Sequence, residues 1–599
     1  MRRIPPTFVL LLAMLQGAIA SGIGSRLAYL DGDDPYYPNG SFPKFTTPMW
    51  VGEDDVEAVI ALTIDDMCRP FPKGRPEGLP VYARQPRVYL DFLQPVVDRL
   101  LKIDGRAPVS VFCLQLDESD ATVERMLRLG MSMECHTFTH PVPLMRAGGG
   151  EDSLALVKAD YLRSVSSLQQ VEGSQPVAHR TPGCDARNTA SPRFFTEVFP
   201  LSSLQMDSSI FTAFAKPVPG LPTEWFFHPG GRPRFARFIA GIPFTRKFVN
   251  YVDSYPYPYV INRRIWELPA IIPGDAHGVH AYGRNSDETV QDWKRALDII
   301  VSQRGVMTIC FHPHGYIRAE QLVAFIDYAD KTYGNKITFL NCREIMDRIT
   351  MNALAEQPLV DSNGRDNGVR VLDINADGYL DVAIANPNKR VTRIWNARAR
   401  RFDDAGFPVR SLDDNIQFMT AGKNGQAGLA VLREGNVNLW RFDDEKWERT
   451  RSLRSIGPVR RSHFRDLNGD GISDIIMDKR ALLSRSGDRW KPAPFELPRP
   501  LDSATRFVDI DGDGDDDFIH SDEKGYAVWL FSDSRSGWDK KLISGPAGTA
   551  ALIPPIAVKG RNNGAWFREG EMAVVNEFTA NPKADHVIIR KFQDWLATQ

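Results

Sequence analysis

Four short motifs before residue 320 combine side chains that bind metals with side chains that transfer protons. They read Ile64-Asp65-Asp66, His136-Thr137-Phe138-Thr139-His140, Arg180-Thr181-Pro182 and Phe311-His312-Pro313-His314. Two neutral imidazoles with one carboxylate form the open three-ligand set of a catalytic zinc-type site. A divalent ion in such a site lowers the pKa of a water molecule, and a second carboxylate beside it can accept the proton. The motifs therefore predict metal-assisted hydrolysis, with an arginine as an orienting cation and a late histidine as an acid.

Each motif taken singly also has an ordinary structural explanation. An Asp-Asp pair after a strand can be a solvated turn or a helix cap, and two histidines four residues apart occur by chance in loops. Histidines beside prolines can be packed structural residues. The ordered combination of all four motifs favours a site.

The elements that must hold these side chains are predicted from hydrophobic patterns. Apolar runs predict strands at 57–64, 108–116, 131–135, 305–311 and 337–340, and amphipathic patterns predict helices at 88–103, 118–129, 154–171, 319–330 and 343–349. This alternation predicts an α/β fold with a parallel sheet, in the form of a distorted (β/α) barrel. Chemistry in such barrels gathers at the carboxyl ends of the strands, where the motifs fall.

A stretch rich in aromatic residues and prolines, about 210–290, lacks this alternation. Exposed aromatic loops would suit sugar rings or a partner surface, whereas buried ones would form an irregular cap with its own small core. The sequence leaves both interpretations open. His277 and His280 lie there in a Gly-rich segment and are interpreted as structural or rim residues.

Composition and the N-terminus bear on class and location. The 599 residues exceed one hydrophobic core, so two or more domains are expected, and a net charge of −2 argues against nucleic-acid binding. Residues 1–20 resemble an export signal, with an apolar run and Ala18-Ile19-Ala20 before Ser21; an uncleaved anchor or a buried helix is the alternative. No later stretch is long and apolar enough for a transmembrane span. The chain is expected to be exported, to the periplasm or outside the cell, with residues 21–50 as a lead segment.

Six cysteines lie before residue 350. They are Cys68, Cys113, Cys135, Cys184, Cys310 and Cys342. The even number allows disulfides in an exported chain, while small apolar filling of strand ends is an equal alternative. No C-x-x-C spacing occurs, so a cysteine zinc site is not predicted.

From about residue 361 the pattern changes to repeated acidic loops. Oxygen ligands at loop positions 1, 3, 5 and 9 are Asp373, Asn375, Asp377 and Asp381, then Asp466, Asn468, Asp470 and Asp474, then Asp509, Asp511, Asp513 and Asp517. Such ligands with a glycine at position 6 predict hard-cation sites, most simply for Ca²⁺, and acidic turns without metal are the alternative. An EF-hand is excluded because position 12 holds Ile384, Met477 or His520 instead of glutamate.

The spacing of the loops predicts a repeat architecture. The gap between the first two loops is about twice that between the last two, which places a degenerate copy at 420–431, and 556–575 is a candidate fifth copy. A period of ~40–50 residues with β-rich flanks is typical of propeller blades. The loops resemble the FG-GAP/VCBS repeats of integrin-like propellers. The resemblance implies an all-β, propeller-like domain over 361–599 that could engage a cell surface or a protein partner.

Residues 51–350 resemble the polysaccharide deacetylase family, the NodB-homology carbohydrate esterases. The T-F-D-D, H-[ST]-x-x-H and R-x-P motifs of that family are matched by residues 63–66, 136–140 and 180–182, and its late strand-end histidine is matched by His312. The resemblance implies that Asp66, His136 and His140 bind a divalent transition metal. Zinc is the first expectation, with cobalt or nickel as alternatives.

The same resemblance implies roles for the other side chains. Asp65 would be the general base, Arg180 would orient it, and His312 would protonate the leaving amine, with His314 as its rival. The substrate would be an N-acetylated polysaccharide or peptidoglycan, and the products a free amine and acetate. Pro182, Trp266 and His314 are the candidates for substrate contact.

This sequence departs from the family pattern after the arginine motif and before the acid. Gly183 and Cys184 stand where the family often has an aromatic residue. The aspartate that tunes the acid histidine is not evident, and 207–209 or 266–269 could replace it. Hydrolysis of a small amide on the same fold, or a non-catalytic glycan-binding or adhesion protein, are the alternative functions.

Overall fold

The structure is a computed structural model in which the chain forms two compact units. The described residues are 23–31, 42–71, 81–142, 144, 150–185, 192–240, 251–413, 415–422, 424–433, 435–450, 452–454, 462–485, 489–548, 552–568, 570–574, 576 and 588–598. One unit, here called the parallel-sheet unit, comprises Pro35–Asp413 and Val575–Ile588; the other, the repeat unit, comprises Met1–Asp34, Asp414–Val574 and Ile589–Gln599. The expected export signal, 1–20, lies outside the described residues. The division after Asp413 differs from the boundary near 350–361 expected from the sequence.

A mostly parallel sheet forms the core of the parallel-sheet unit. Its strands are β1 Ala58–Cys68, β2 Val109–Gln115, β3 Ser132–Cys135, β4 Ala178–His179, β5 Met206–Asp207, β6 Phe211–Ala213, β7 Tyr251–Asp253, β8 Tyr259–Ile261, β9 Ile265–Glu267, β10 Ala270–Ile271, β11 Val306–Phe311 and β12 Ile337–Phe339. They follow the order β7-β6-β10-β11-β1-β2-β3-β4-β5-β9-β8, with β12 also paired to β1. No pairing between described strands closes this path, so the distorted barrel expected from the sequence takes the form of a half-barrel sheet.

Helices surround this sheet. They are α1 Pro86–Asp104, α2 Ala121–Arg128, α3 Gly150–Gln169, α4 Ala236–Ala240, α5 Asp275–Tyr282, α6 Asp287–Gln303, α7 Ala319–Tyr333 and α8 Cys342–Arg348. Side-chain caps start several of them, because Asp120 accepts from the backbone N–H of Thr122 and Ser286 accepts from that of Glu288. α1 ends where Gly105 takes a left-handed conformation, φ 68°.

The alternation of strands and helices expected from the hydrophobic pattern is present. β1 is buried along its whole length, as its continuous apolar run predicts for a strand covered on both faces. It continues past the predicted end at residue 64 as far as Cys68. α5 and α6 were not predicted, and α5 occupies the segment interpreted as a Gly-rich loop.

Several aromatic residues of this stretch are buried in packed contacts. Tyr255, Tyr257 and Tyr259 are 1–2% exposed, and the rings of Tyr255 and Tyr257 meet edge to face at 5.0 Å. Trp266 is 1% exposed and stacks on Phe45 with ring centroids 5.1 Å apart. These rings are therefore packing residues, and the interpretation as sugar-binding loops does not apply to them.

The rest of the chain folds as small antiparallel sheets. Their strands are β13 Val369–Leu372, β14 Asp381–Ala385, β15 Arg390–Asn396 and β16 Arg401–Ala405; β17 Ile416–Thr420, β18 Ala427–Arg433, β19 Asn436–Asp443 and β20 Lys446–Arg449; β21 Ser462–Arg465, β22 Asp474–Met477, β23 Arg480–Arg485 and β24 Arg489–Glu496; β25 Thr505–Val508, β26 Asp517–Ser521, β27 Gly525–Leu530 and β28 Lys540–Pro546. Each set of four pairs in chain order. A hairpin of β29 Ala557–Val558 and β30 Arg561–Asn562, a sheet of β31 Ala565–Arg568, β32 Glu571–Val574 and β33 Ile588–Lys591, and helix α9 Phe592–Leu596 follow.

The acidic loops occupy one position in these sheets. Each connects the first and second strands of its sheet, and the degenerate copy predicted at 420–431 falls at the same position between β17 and β18. The predicted fifth copy, 556–575, falls on the β29–β30 hairpin and on β31 and β32 instead of a four-stranded sheet. The repeat length and strand pattern agree with the prediction, while a closed propeller stays a prediction.

The first antiparallel sheet, β13–β16, belongs to the parallel-sheet unit. The backbone of Lys44 forms a parallel bridge with Tyr379 in the first acidic loop, through hydrogen bonds of 2.9 Å to Gly378 and from Leu380. Arg393 of β15 donates to the carbonyl oxygens of Asn352 and Ala353, each at 2.8 Å. This antiparallel sheet therefore contacts residues that precede β1 in the sequence, such as Lys44, and residues that follow α8, such as Asn352 and Ala353.

Two further observations concern the whole described chain. None of the helices that the structure describes has the length and apolar character needed to cross a bilayer. All six cysteines are free and buried, so the structure places them as thiols and not as cross-links.

Candidate active site

The three predicted ligands of this site meet at the carboxyl ends of β1 and β3, the two strands that flank β2. Asp66 belongs to β1, and His136 directly follows β3. Ligand atoms of Asp66, His136 and His140 lie within 4.8 Å of one another. The Oδ1 atom of Asp66 is 3.4 Å from Nε2 of His136 and 3.0 Å from Nε2 of His140. All three residues are buried, so the group is a compact donor set and not a solvated turn.

The backbone under this group is strained. The register between β1 and β2 shifts between Ile64 and Met67, which places the Asp65-Asp66 pair in a bulge. Asp66, Thr137 and His140 have positive φ values of 75°, 63° and 57°. Such conformations cost on the order of 1–3 kcal/mol each and persist where surrounding contacts hold them, which is common at functional sites.

Hydrogen bonds outside the group orient both imidazoles. Nδ1 of His136 lies 2.8 Å from the carbonyl oxygen of Arg180, to which it donates, and Nδ1 of His140 lies 3.2 Å from the hydroxyl of Tyr82. These contacts leave Nε2 of each ring for a ligand, as in metal-binding histidines. Within the described residues, Oδ1 of Asp66 is buried without a hydrogen bond of normal geometry. The donor set therefore fits a divalent transition metal.

A partly buried aspartate of α3 fixes the loop between the two histidines. Asp160 accepts hydrogen bonds from the backbone N–H of Phe138 and the hydroxyl of Thr139, both at 2.7 Å. The N–H of His136 donates to the carbonyl oxygen of Cys113 at 2.9 Å, which continues the β2–β3 pairing to the first histidine. The positions of the two imidazoles are thus set by neighbouring elements.

Asp65 and Arg180 form a buried ion pair beside the ligand group. Nη1 of Arg180 is 2.8 Å from Oδ1 of Asp65 and donates also to the hydroxyl of Thr63 at 2.8 Å. The guanidinium lies 4.1 Å from the centre of the Phe112 ring. Burial alone would raise the pKa of Asp65, but Arg180, with His136 and His312, holds it below its usual value. Asp65 is therefore an ionised carboxylate with its second oxygen turned toward the ligand group, 3.9 Å from Nε2 of His136.

The segment 207–209 was one candidate for the partner of the acid histidine. In the structure it binds the side chain of Arg180 instead. Arg180 donates from Nε to the carbonyl oxygen of Ser208 and from Nη2 to its hydroxyl, both at 2.8 Å. Asp207 accepts from Nδ1 of His179 at 2.7 Å, and Glu267 accepts from the N–H of Ile210 at 2.9 Å. Burial and the nearby Asp207 raise the pKa of Glu267 well above its usual value. Both candidate segments thus pack around Arg180 and its hydrogen-bond partners, and not around the acid histidine.

His312 has a carboxylate partner that the sequence did not reveal. Oδ1 of Asp275 is 2.8 Å from Nδ1 of His312, and its Oδ2 accepts from the backbone N–H of His312 at 2.7 Å. Burial alone would lower the pKa of His312, but Asp275, with Asp66 and Asp65, raises it to about 10. Nε2 of the ring faces the ligand group, 3.9 Å from Oδ2 of Asp66. Asp275 thus orients the imidazole of His312 and favours its protonated form.

A sequence signal for Asp275 existed but was weak. The residue starts α5 just after the two-residue strand β10, which pairs with β11, the strand that ends before His312. An acidic residue after a short strand is a usual sign of a strand-end site. The neighbouring prolines and glycines concealed both elements.

The predicted substrate-contact residues have three different environments. His314 lies against the ligand group, with Nε2 3.8 Å from Oδ2 of Asp66, and burial beside His312 lowers its pKa to about 4. Pro182 is buried in a turn where Gly183 and Cys184 have φ values of 67° and 46°. Trp266 is buried in β9, so substrate contact is a wrong prediction for this residue.

Two other features correct or complete the sequence analysis. His277 is buried and packs edge to face on Phe211 at 5.2 Å, which supports a structural role. The thiol of Cys310 lies 3.3 Å from Oδ2 of Asp65, the oxygen that Arg180 leaves free. Cys184 and Cys310 share a hydrogen bond. Neither cysteine belonged to the predicted site.

In the acidic loops, the predicted cation ligands accept hydrogen bonds from backbone N–H groups of the loop and of the third strand of the sheet or the residue after it. The position-9 aspartates, Asp381, Asp474 and Asp517, each accept from two backbone N–H groups, one for each carboxylate oxygen. Position 6 is a glycine with φ between 84° and 98° in all three loops, as predicted for the tight turn. Carboxylate oxygens of Asp509, Asp511 and Asp517 converge within 4.8 Å.

The remaining predicted ligands of the first two loops follow the same internal pattern. The position-1 aspartates Asp373 and Asp466 accept from the glycine N–H groups of Gly378 and Gly471, and the position-3 side chains of Asn375 and Asn468 accept from the N–H groups of Asp377 and Asp470. In the third loop Asp511 accepts from the N–H of Asp513. The loops share one fold, in which position 4 also needs a positive φ, a requirement that sequence reasoning missed.

Comparison with known proteins gave remote structural likenesses alone. No protein-family model and no curated protein matches the sequence. Puue allantoinase is similar over 51% of this chain and 93% of its own, with 14% identity and a TM-score of 0.31. A putative polysaccharide deacetylase from Mycobacterium smegmatis is similar over 54% and 96%, with 16% identity and a TM-score of 0.27. Peptidoglycan deacetylase PdaC from Bacillus subtilis is similar over 51% and 97%, with 14% identity and a TM-score of 0.25. At these TM-scores the likenesses carry no functional argument, so the side-chain geometry must carry it.

Proposed function

We propose that the chain is a metal-dependent hydrolase that removes N-acetyl groups from a glycan or peptidoglycan. One observation carries the proposal: a buried Asp-His-His donor set has a carboxylate paired with Arg180 and an imidazole paired with Asp275 directly beside it. Amide hydrolysis needs a base for the attacking water and an acid for the leaving nitrogen. The two pairs, Asp65 with Arg180 and His312 with Asp275, supply these functions.

The donor set would hold the metal through Asp66, His136 and His140. When bound there, a divalent ion such as Zn²⁺, Co²⁺ or Ni²⁺ supplies a Lewis acid that polarises the scissile carbonyl and acidifies water. The carbonyl oxygen of Arg180 and the hydroxyl of Tyr82 keep the imidazoles in orientation. The same arginine therefore contributes its side chain to the base and its backbone to a ligand.

Asp65 takes the proton of the attacking water in this proposal. Its Oδ1 is committed to Arg180, so Oδ2 is the atom that faces the water. Because the ion pair keeps the carboxylate charged despite its burial, the base is ready at neutral pH. The hydroxyl of Tyr89 donates to the backbone carbonyl of Asp65 at 2.6 Å and fixes that peptide.

His312 gives its proton to the departing amine. Asp275 holds the Nδ1–H side of the ring, so the proton transferred is the one on Nε2, the atom that faces the ligand group. His314 is the weaker candidate for this role because it is neutral near pH 7, with its pKa lowered to about 4. Its buried Nε2, without a hydrogen-bond partner in the described residues, can position the substrate.

The acidic loops are assigned to Ca²⁺ binding, and the repeat unit to attachment to substrate or to a cell surface outside the cytoplasm. The support is the shared loop fold and the convergence of the carboxylates in the third loop. The boundaries 51–350 and 361–599 remain part of this proposal as functional regions of the chain.

Acetate release from N-acetylglucosamine oligomers tests the proposal. The purified chain with Zn²⁺ or Co²⁺ is expected to release acetate, and Asp65→Asn is expected to keep its metal and lose at least about 10²-fold in rate. His136→Ala should lose the metal, whereas His280→Ala, at an exposed histidine of α5, should keep both metal and rate. Full activity in Asp65→Asn would rule out the assigned base. Activity on a small cyclic or linear amide, with none on the oligomers, would replace the substrate class.

A further inference from the structure

A second group of potential metal ligands lies beside the first. One ligand atom from each of Asp65, Cys310 and His312 lies within 4.8 Å of the others. Oδ2 of Asp65 accepts from the thiol of Cys310 at 3.3 Å, while its Oδ1 is taken by Arg180. Asp275 engages Nδ1 of His312 and leaves Nε2 available. Oδ2 of Asp65 and Nε2 of His312 are thus not held by Arg180 or Asp275, and the Sγ atom of Cys310 hydrogen-bonds Asp65 and Cys184.

The chemistry of this group differs from that of the first. Asp66, His136 and His140 offer oxygen and nitrogen, whereas the second group adds a sulfur. Thiolate, imidazole and carboxylate together favour borderline and soft ions such as Zn²⁺ and Cd²⁺, while Ca²⁺ and Mg²⁺ prefer oxygen alone. Cys310 lies near the carboxyl end of β11, two residues before the acid histidine. It has no role in the proposed hydrolysis.

We propose that Asp65, Cys310 and His312 form a second metal site, selective for Zn²⁺ and Cd²⁺, next to the Asp66-His136-His140 group. Metal binding releases two protons, one from the thiol of Cys310 and one from Nε2 of His312, and one carboxylate and one thiolate then offset the two charges of the ion. Arg180 stays on the other oxygen of Asp65 and need not move. The site is built from β1 and β11, which pair directly, and its ligands are buried or nearly so.

Occupation of this site has a functional consequence that rests on the proposed function. The ion would take Oδ2 of Asp65 and Nε2 of His312, the two atoms assigned to proton transfer. Excess Zn²⁺ or Cd²⁺ should then inhibit the enzyme that one equivalent of Zn²⁺ activates. The first group supplies the activating site and the second an inhibitory one.

Cadmium binding to the full chain tests the site without reference to activity. The chain is loaded with Ca²⁺ and one equivalent of Zn²⁺, then titrated with Cd²⁺ while the thiolate-to-cadmium absorption in the ultraviolet is followed. The wild type and Cys342→Ser, a matched change at another buried thiol, should show the band, and Cys310→Ser should not. No band in the wild type, or an unchanged band in Cys310→Ser, overturns the proposal. Cys310→Ala replaces the serine variant if circular dichroism shows that the latter is unfolded.

Inhibition and thiol counting complete the test. Each variant is compared with its own rate at one equivalent of Zn²⁺, and Cys310→Ser should need at least about tenfold more Zn²⁺ for half inhibition than the wild type. Equal inhibition of the two overturns the proposal. Fewer than six reactive thiols in the denatured chain, with Cys310 in a disulfide by mass spectrometry, also overturns it. A Cys310-dependent band in a chain with no hydrolytic activity supports the site and defeats the proposed function alone.

Discussion

The active-site group and the acidic loops both gather carboxylates between strands, but they are stabilised in different ways. In the loops, each aspartate is satisfied by backbone N–H groups within its own sheet, such as the two that Asp517 accepts. In the active site, Asp65 depends on Arg180, which is 115 residues away in the sequence. Because these hydrogen bonds come from the same sheet, such a loop can form as soon as its own sheet forms. Because Asp65 is paired with a residue far away in the sequence, its site forms only when the whole sheet has assembled. The pair also leaves the second oxygen of Asp65 available for chemistry.

Removal of Arg180 should give the largest effect, because it breaks the long-range arrangement at its centre. Arg180→Gln leaves the buried carboxylate of Asp65 without its cation, and loss of one partner of a buried pair costs about 3–5 kcal/mol in unfolding free energy. Acetate release should fall with it, since the pKa of Asp65 rises. Urea unfolding and initial rates measure both effects. Arg365→Gln, at an exposed ion pair with Asp361, is the control and should change stability by less than about 1 kcal/mol. A fully stable, active Arg180→Gln would contradict the role given to the pair.

Asp275→Asn should change the pH dependence of the reaction. Asp275 raises the pKa of His312, so the neutral variant lowers that pKa from about 10. The acid must be protonated, and activity is lost as the pH rises through its pKa. The basic limb of the rate profile should therefore move to lower pH by about one unit or more, and a shift of one unit should lower the rate about fivefold at pH 10. An unmoved basic limb would show that His312 is not the titrating acid.

Calcium removal should make the stability of the repeat unit depend on pH. Burial raises the pKa of Asp474 and of Asp517 to about 8 in the absence of a cation. A group with a raised pKa contributes stability that is complete below its unfolded value, near 4, and lost as the pH rises toward 8. Unfolding in EGTA should weaken over this window by up to about 1.4 kcal/mol per pH unit for each carboxylate. Saturating Ca²⁺ should flatten the slope, and Asp517→Asn should reduce it in EGTA. Equal slopes with and without Ca²⁺ would favour acidic turns that bind no metal.

The smallest expected effect concerns one backbone position in the first loop. Ala376 has φ 67°, where the other two intact loops have Gly469 and Gly512 at φ 69° and 81°. Ala376→Gly relieves this strain and should stabilise the protein by about 0.5–1 kcal/mol. Gly512→Ala should destabilise it by a similar amount. Thermal unfolding with Ca²⁺ present measures both, and a loss of stability in Ala376→Gly would show that the alanine is preferred there for its contacts.

The two regions also differ in how far the sequence predicts them. The acidic loops were predicted with their flanking strands because all four predicted ligands of a loop lie within nine consecutive residues. The candidate ligand residues could be placed at strand ends because long apolar strands such as β1 and β11 are strong signals. Asp275 was missed because it follows a strand of two residues and starts a helix hidden among glycines and prolines.

The errors have physical causes as well. Trp266 was assigned to the substrate because aromatic residues near prolines suggest loops, yet Phe45 from the lead segment covers its ring. The segment 207–209 was considered as the partner that raises the pKa of the acid histidine. Parallel pairing of β4 with β5 places it against Arg180 instead. Both errors depend on which strands are neighbours, and short strands carry little sequence information about their partners.

The bridge between Lys44 and Tyr379 has a practical consequence for dissecting the chain. A fragment ending near residue 355 would contain every proposed catalytic side chain, yet it would leave the backbone of Lys44 and the carbonyl groups of Asn352 and Ala353 without their partners. A fragment ending at Asp413 would retain them, together with one complete acidic loop. The shortest piece that behaves as an independent enzyme is therefore expected to carry a single repeat as part of its scaffold, and a protease should cut the native chain more readily near 413 than near 355.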